Sequence, residues 1–129
     1  MQERQVAIKV QIKTLHTGEF VKQEGMNPNY IKTEDLEISR ARVLATVIDK
    51  FVSEDGNYAT LTLDDTTDTI RCKVFRELEI IENIEKGDLV DVIGKIREYN
   101  EERYIQPEII VKITDPNFEV LRKLEVEKS

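Results

Sequence analysis

The sequence predicts an all-β fold, a small closed barrel of five strands with one helix inserted between strands 3 and 4. Two observations predict it. Residues 38–113 contain five runs rich in alternating apolar and polar residues, separated by turn signals. A single segment within them, 76–87, has apolar residues three positions apart instead, which indicates a helix. The chain adds an N-terminal extra strand before the barrel and a C-terminal helix after it.

Length and composition limit the classes of protein to which the chain can belong. Its 129 residues suffice for one domain with its own core. The charged fraction of 35% is high, but 40% apolar residues exceed what a disordered chain carries. A formal net charge of −7 argues against coating of duplex DNA by bulk charge, although it leaves room for a locally basic groove. The heavy use of Glu, Lys and Ile favours a thermophile.

The scarcity of chemically reactive side chains argues against an enzyme. The only cysteine, Cys72, can form no internal disulfide, and with His16 as the only histidine no cysteine-based zinc site can be built. The aspartates of the segment 64–68 are typical of a turn rather than of a metal site. We therefore expect no metal, no cofactor, no small-molecule substrate and no catalysis.

The N-terminal sequence predicts where the protein resides. It contains no long apolar run, so we expect no signal peptide and no membrane association. The expected location is the cytoplasm, with the nucleoid if the source is a prokaryote.

Residues 1–37 are predicted to form an extension that packs on the barrel. Apolar residues alternate with polar ones over 6–13, which predicts a strand with one buried face. Gly25 and Pro28 then indicate an irregular connection, with room for a short strand around Phe20.

The barrel itself is predicted over 38–114. Its strands are expected at 38–51, 58–63, 69–75, 88–99 and 104–113. The first strand has apolar residues on both faces, as expected of a bent strand shared by two sheets. Asp55-Gly56 is a strong hairpin signal. Gly94 and Pro107 lie inside the last two strands and predict a bulge or a bend there.

Two segments are predicted to be helical. The first covers 76–87 and stops at Gly87. The second, at 115–129, begins with Asp115 as a cap and Pro116 in the first turn. Its apolar stripe consists of Phe118, Leu121 and Leu124. A helix this short is unstable alone in water, so it must pack on its own barrel or on helices of other subunits.

The order of these elements matches the OB-fold, a five-stranded Greek-key barrel in which nucleic acid lies across strands two and three and their flanking loops. Single strands are bound by cations that contact phosphates and by rings that stack on bases. Outward positions of the predicted strands and loops supply both. The candidate nucleic-acid-binding residues are Lys50, Tyr58, Arg71, Lys73, Phe75, Lys95, Arg97, Tyr99 and Arg103.

Less specific interpretations of the same residues remain open. The outer face can be an ordinary solvated surface, with Phe75 covered by the helix that follows it. Phe51 can equally plug the barrel end or stack on a base. Cys72 alternates inward and is expected to be a small core residue.

Three segments resemble the OB-fold of replication protein A subunits. They are LDDTT followed by IRCKVF at 63–75, VDVIGKIREY at 90–99, and GEFVKQEGMNPNY at 18–30, the last being similar to the archaeal branch. The resemblance implies a small- or middle-type subunit of a heterotrimer that binds single-stranded DNA in replication, repair and recombination. It also implies a bundle of C-terminal helices, one per subunit, with Phe118, Leu121 and Leu124 at the interface.

Two other functions remain open at this point. The chain can be a structural subunit that joins stronger DNA-binding subunits and hardly touches DNA, which the pI of about 4.9 favours. It can also be an OB-fold protein that binds RNA, because the same cations and rings serve either nucleic acid.

Overall fold

Five long strands close into a barrel in the computed structural model, which describes residues 7–114 and 116–127, with the side chains of 116–120 and 127 left outside the description. In chain order the elements are β1 Ile8–Lys9, α1 Ile12–Thr17, β2 Glu19–Val21, β3 Tyr30–Lys32, β4 Glu37–Ile38, β5 Arg40–Val52, β6 Tyr58–Asp64, β7 Thr69–Phe75, a 3₁₀ helix Leu78–Ile81, β8 Leu89–Tyr99, β9 Glu102–Ile113 and α2 Pro116–Glu127. The predicted all-β barrel with a helical insert is confirmed.

The barrel is closed by β5, which pairs with two other strands of the barrel. Its first half pairs with β8 and its second half with β6, both antiparallel. The remaining pairs are β6–β7 and β8–β9, antiparallel, and a short parallel pair between β7 and β9. A register shift lies between Val47 and Asp49, so Ile48 forms a bulge at the point where β5 bends.

The core follows from the alternation of apolar residues. The inward side chains of β6 and β7 are all buried, namely Ala59, Leu61, Leu63, Ile70, Cys72 and Val74. Gly94 allows β8 and β9 to approach closely, because a Cβ atom there would collide with the carbonyl oxygen of Gln106. The fully buried Cys72 thiol has a raised pKa because of its burial, so it is unreactive.

The predicted N-terminal strand over 6–13 was largely wrong. Among the described residues of this segment, only Ile8–Lys9 pairs as a strand, with β5, and a helix begins at Ile12. Ile12 and Leu15, three residues apart, are both fully buried against the barrel. The carboxylate of Asp65 accepts a hydrogen bond from the backbone N–H of Ile12 (2.8 Å). A side chain that is distant in sequence therefore bonds a backbone N–H group at the start of the helix, and no local sequence pattern predicts this start.

The helical insert is shorter than the predicted 76–87. Only Leu78–Ile81 is helical, and it is a 3₁₀ helix. Ile81 and Ile84 are buried, so the spacing that predicted a helix does mark core contacts. The Nζ atom of Lys50 binds the carbonyl oxygens of both residues, which meets their need for hydrogen bonds without a longer helix.

The connection between α1 and the barrel is more regular than predicted. It forms a separate antiparallel sheet of β2, β3 and β4, and the strand expected near Phe20 is present as β2. No helix in the described part of the chain has the length and apolar character that crossing a bilayer requires.

Candidate nucleic-acid interface

The outer face of β6 and β7 brings together cations, hydroxyls and rings. Because residues paired across antiparallel strands share a face, the register aligns three outward pairs. These pairs are Tyr58 with Phe75, Thr60 with Lys73, and Thr62 with Arg71. The structure thus places four of the predicted residues side by side.

The same face continues onto the β8–β9 hairpin. Arg71 lies beside Tyr104 of β9, and Tyr104 lies opposite Arg97 of β8. Tyr99 and Glu102 are paired at the end of the hairpin, so its loop is only the two residues Asn100 and Glu101. We call the outward surface formed by β6, β7 and this hairpin the outer face.

Rings cluster at one end of the outer face. The Tyr58 ring lies 5.1 Å from the Phe75 ring and 6.4 Å from the Phe51 ring, centroid to centroid. Phe51 and Phe75 are each more than half exposed, so the 3₁₀ helix behind Phe75 leaves that ring accessible. We call Phe51, Tyr58 and Phe75 the aromatic cluster. Tyr99, 67% exposed, stands on the hairpin.

Two of the cations on the outer face share one carboxylate. The Nε atom of Arg71 lies 2.7 Å from one oxygen of Glu102, and the Nζ atom of Lys73 lies 2.8 Å from the other. Lys73 Nζ also sits 4.5 Å from the centroid of the Tyr104 ring, a cation–π contact. The hydrogen bonds from Lys73 and then Arg71 outweigh burial and hold the pKa of Glu102 below its usual value.

The other cations of the outer face are less constrained. Lys95 is exposed, and Arg97 donates a hydrogen bond from Nε to the side-chain oxygen of Gln106 (2.9 Å). Beside Arg71 a groove of about 740 Å³ runs between the hairpin and the end of α1, and its walls include His16, Glu98 and Glu102. The face therefore combines exposed positive charge with nearby carboxylates.

Two residues grouped with this face by sequence have other contacts in the structure. Lys50 pairs with the inward-facing Leu61 and donates to backbone oxygens at the barrel end, including that of Ile84 (2.7 Å). Arg103 donates from Nη1 to the backbone oxygens of Leu15, His16 and Gly18. Lys50 therefore lies apart from Arg71 and Lys73, whereas Arg103 lines the same groove as Arg71 but has its guanidinium bound to α1.

The C-terminal helix is fixed to the barrel by a buried ion pair. Arg122 of α2, only 4% exposed, donates two hydrogen bonds to Asp91 of β8 (2.8 and 3.1 Å). Arg42 of β5 donates to the same carboxylate (2.7 Å). Burial would raise the pKa of Asp91, but the hydrogen bonds from Arg122 and Arg42 outweigh it and lower that pKa.

The opposite side of α2 is open to solvent. Leu121 and Leu124 are each about half exposed, at 53% and 52%. The side chain of Phe118, the third predicted interface residue, lies outside the described residues.

Within the described residues, no group of three His, Cys, Asp or Glu side chains is placed to hold a metal ion.

Solved structures of OB-fold complexes are similar to this chain over nearly its whole length. A replication protein A heterotrimer bound to ssDNA matches with a TM-score of 0.79 and 15% identity, over 96% of this chain and 94% of the other. A chain of the S. pombe Stn1–Ten1 complex gives 0.80 and 15%, over 96% and 90%. Yeast RPA bound to ssDNA gives 0.72 and 22%, over 98% and 92%. At these identities the matches show the fold.

Two sequence matches bear on the family. An uncharacterized protein of Methanocaldococcus jannaschii is 34% identical over 126 residues, which cover 98% of this chain and 49% of the relative. The chain thus spans about half the length of that relative. The family model tRNA_anti-codon, described as "OB-fold nucleic acid binding domain", matches residues 38–120, which contain the whole barrel. The chain belongs to this OB-fold nucleic acid binding family.

Proposed function

We propose that the protein binds single-stranded DNA without sequence specificity, as a subunit of a replication protein A-like complex that acts in the cytoplasm on nucleoid DNA during replication and repair. One observation carries the proposal: rings and cations lie in register on the outer face of an OB barrel, with Phe75 and Arg71 about half exposed. The fold shared with ssDNA-bound replication protein A supports it.

The cations and the aromatic rings of the outer face bind different parts of the DNA. Arg71, Lys73 and Arg97 contact phosphates, and the aromatic cluster and Tyr99 stack on bases at opposite ends of the face. Each stacked base contributes about 1–3 kcal/mol, whatever its identity, because every base has a π face. The binding is therefore tolerant of sequence.

The acidic body of the protein limits the affinity of the isolated chain. Its net charge of −7 repels a polyanion, so attraction depends on a few cations. Attachment to other DNA-binding subunits raises the effective concentration of the outer face at the strand. The affinity of the complex is then higher than that of the chain alone.

The double replacement Arg71→Ala plus Lys73→Ala is expected to weaken binding to oligo-dT about three- to tenfold and to flatten its salt dependence. Each lost phosphate contact reduces the slope of log affinity against log salt by about 0.7 for a single strand. Fluorescence anisotropy at several salt concentrations measures both. The control is Lys22→Ala plus Lys32→Ala, two exposed cations off the outer face, which changes the net charge equally.

The same titrations decide between this proposal and its alternatives. An unchanged slope in the Arg71 and Lys73 variant would mean that DNA lies elsewhere. Absence of wild-type binding at high micromolar concentration would favour a scaffold that joins other subunits. Stronger binding of oligo-U than of oligo-dT would favour an RNA-binding role.

The exposed side of α2 supports the second part of the proposal, contact with partner subunits. Leu121→Asp plus Leu124→Asp is expected to abolish co-elution with co-expressed OB-fold subunits, because it places two charges in an apolar contact. Size-exclusion chromatography measures this loss. Met26→Asp, a 92% exposed residue far from α2 in sequence, serves as the control. Co-elution that survives the double change would show that α2 is not the joint.

A further inference from the structure

The shared carboxylate of Glu102 points to a role for this residue in DNA binding itself. We infer that Glu102 is an internal competitor: it occupies the cations Arg71 and Lys73 in the free protein and must be displaced by a DNA phosphate. The inference rests on the proposed function, and it adds a residue that controls the affinity of the protein for DNA.

The backbone holds Glu102 in place to do this. It is the first residue of β9 and pairs with Tyr99 across the two-residue loop. Both loop residues, Asn100 and Glu101, have left-handed backbone conformations, with φ of 51° and 66°, as a tight hairpin turn requires. Glu102 is thereby fixed over the neighbouring strand β7, within 2.8 Å of both cations.

The ion pairs are open enough for a phosphate to replace the carboxylate. The side chains of Glu102 and Arg71 are 33% and 48% exposed, so solvent reaches this part of the contact. Lys73 is only 13% exposed and lies between Glu102 and the Tyr104 ring. Arg71 is therefore the first cation that a phosphate can reach, and Lys73 follows once the carboxylate moves.

The exchange reduces what the two cations contribute to binding. A phosphate accepts the same charge-assisted hydrogen bonds as a carboxylate, so the complex gains only the difference between the two sets of bonds. The displaced carboxylate also stays close to the strand and repels it. Only a strand that contacts other parts of the outer face as well binds strongly enough to displace Glu102.

Glu102→Gln is expected to raise the affinity for oligo-dT about three- to tenfold at low salt, the size expected for the release of two partly exposed ion pairs. The matched control is Glu101→Gln, which removes one negative charge from the adjacent, exposed loop residue. Its expected gain is less than about twofold. Glu102→Asp keeps the charge but shortens its reach, so its affinity should fall between wild type and Glu102→Gln.

A cycle with the cation variant separates competition from simple repulsion. In the background of Arg71→Ala plus Lys73→Ala, Glu102→Gln should raise affinity no more than Glu101→Gln does, because no cation remains to be released. An equal gain in both backgrounds overturns the inference, since the carboxylate would then act on DNA directly. Thermal unfolding establishes that each variant is folded.

The outcomes also separate this inference from the proposed function. If wild type binds through Arg71 and Lys73 but Glu102→Gln and Glu101→Gln have the same affinity, the competitor role is wrong and DNA binding stands. If no variant binds, Glu102→Gln included, both are wrong.

Discussion

Replacement of Asp91 by alanine is expected to lower the free energy of unfolding by about 3–5 kcal/mol, the cost of removing one partner of a buried ion pair. The carboxylate is 6% exposed and accepts hydrogen bonds from Arg122 and Arg42. Without it, the guanidinium of Arg122 loses both of its bonds to this carboxylate. Arg122 is only 4% exposed, so water cannot easily replace them. Since Arg122 fixes α2 to the barrel, the helix should also lose protection from hydrogen exchange.

Urea unfolding followed by circular dichroism measures this loss. The control is Glu108→Ala, which removes a carboxylate that pairs at 2.7 Å with Arg40 and is more exposed, at 30% of its side chain. That change should cost no more than about 1 kcal/mol. If Asp91→Ala costs equally little, other contacts hold α2 in place.

A double replacement tests the physical reason for the cost. Asp91→Leu together with Arg122→Met removes both charges and leaves apolar side chains in their places. It should be less damaging than Asp91→Leu alone, because the buried charge of Arg122 is no longer left without its partner, whereas the 31% exposed side chain of Arg42 is still reached by solvent. A simple sum of the two single costs would contradict the proposed pairing.

The same pair makes stability depend on pH at the acid end. The pKa of Asp91 is lower in the folded protein than in the unfolded chain, where it is about 3.9. Between these two values the unfolded chain binds more protons, so stability rises with pH there. The stabilisation is complete above about pH 4 to 5 and is lost as pH falls through the folded pKa. The Asp91→Ala variant should show a shallower acid limb in unfolding free energy.

The barrel could be predicted because its strands are buried on one face, which imposes a period of two on the sequence. The N-terminal segment shows the limit of that argument. Ile8, Val10 and Ile12 alternate like a strand, yet a helix begins at Ile12, whose backbone N–H donates to the carboxylate of Asp65 far along the chain. Apolar spacing alone is ambiguous where a strand and a helix meet.

The site was predictable in residue type but not in pairing. Alternation from the buried Val43 and Val47 predicts that Lys50 points outward. The bulge at Ile48 reverses the alternation, so that Lys50 points inward and Phe51 points outward. The contact of Glu102 with Arg71 and Lys73 has no sequence signal, because it joins residues that are distant in sequence. Asp91 between Val90 and Val92 was the available signal of a buried ion pair.

Arg103 is the clearest example of a candidate DNA-binding cation whose contacts in the structure stabilise the fold. Its Nη1 atom donates to backbone oxygens at the end of α1, including those of Leu15 (2.9 Å) and His16 (3.1 Å). These are carbonyls that a helix end leaves without partners, and a cation there also opposes the helix dipole. Nε of Arg103 pairs with Glu98 (3.2 Å), so the residue links α1 to the β8–β9 hairpin.

Arg103→Ala is therefore expected to lower the free energy of unfolding by about 2–4 kcal/mol, because several partly buried carbonyls lose a charged donor. Arg97→Ala, which removes a partly exposed cation of the same hairpin with a single hydrogen bond to Gln106, should cost less than about 1 kcal/mol. In the DNA titration, Arg97→Ala should have a larger effect than Arg103→Ala. Arg97→Ala should flatten the salt dependence of oligo-dT binding by about 0.7, whereas Arg103→Ala should leave it unchanged. An Arg103 variant of wild-type stability with a flatter slope would instead make this guanidinium a phosphate ligand, as its sequence position first indicated.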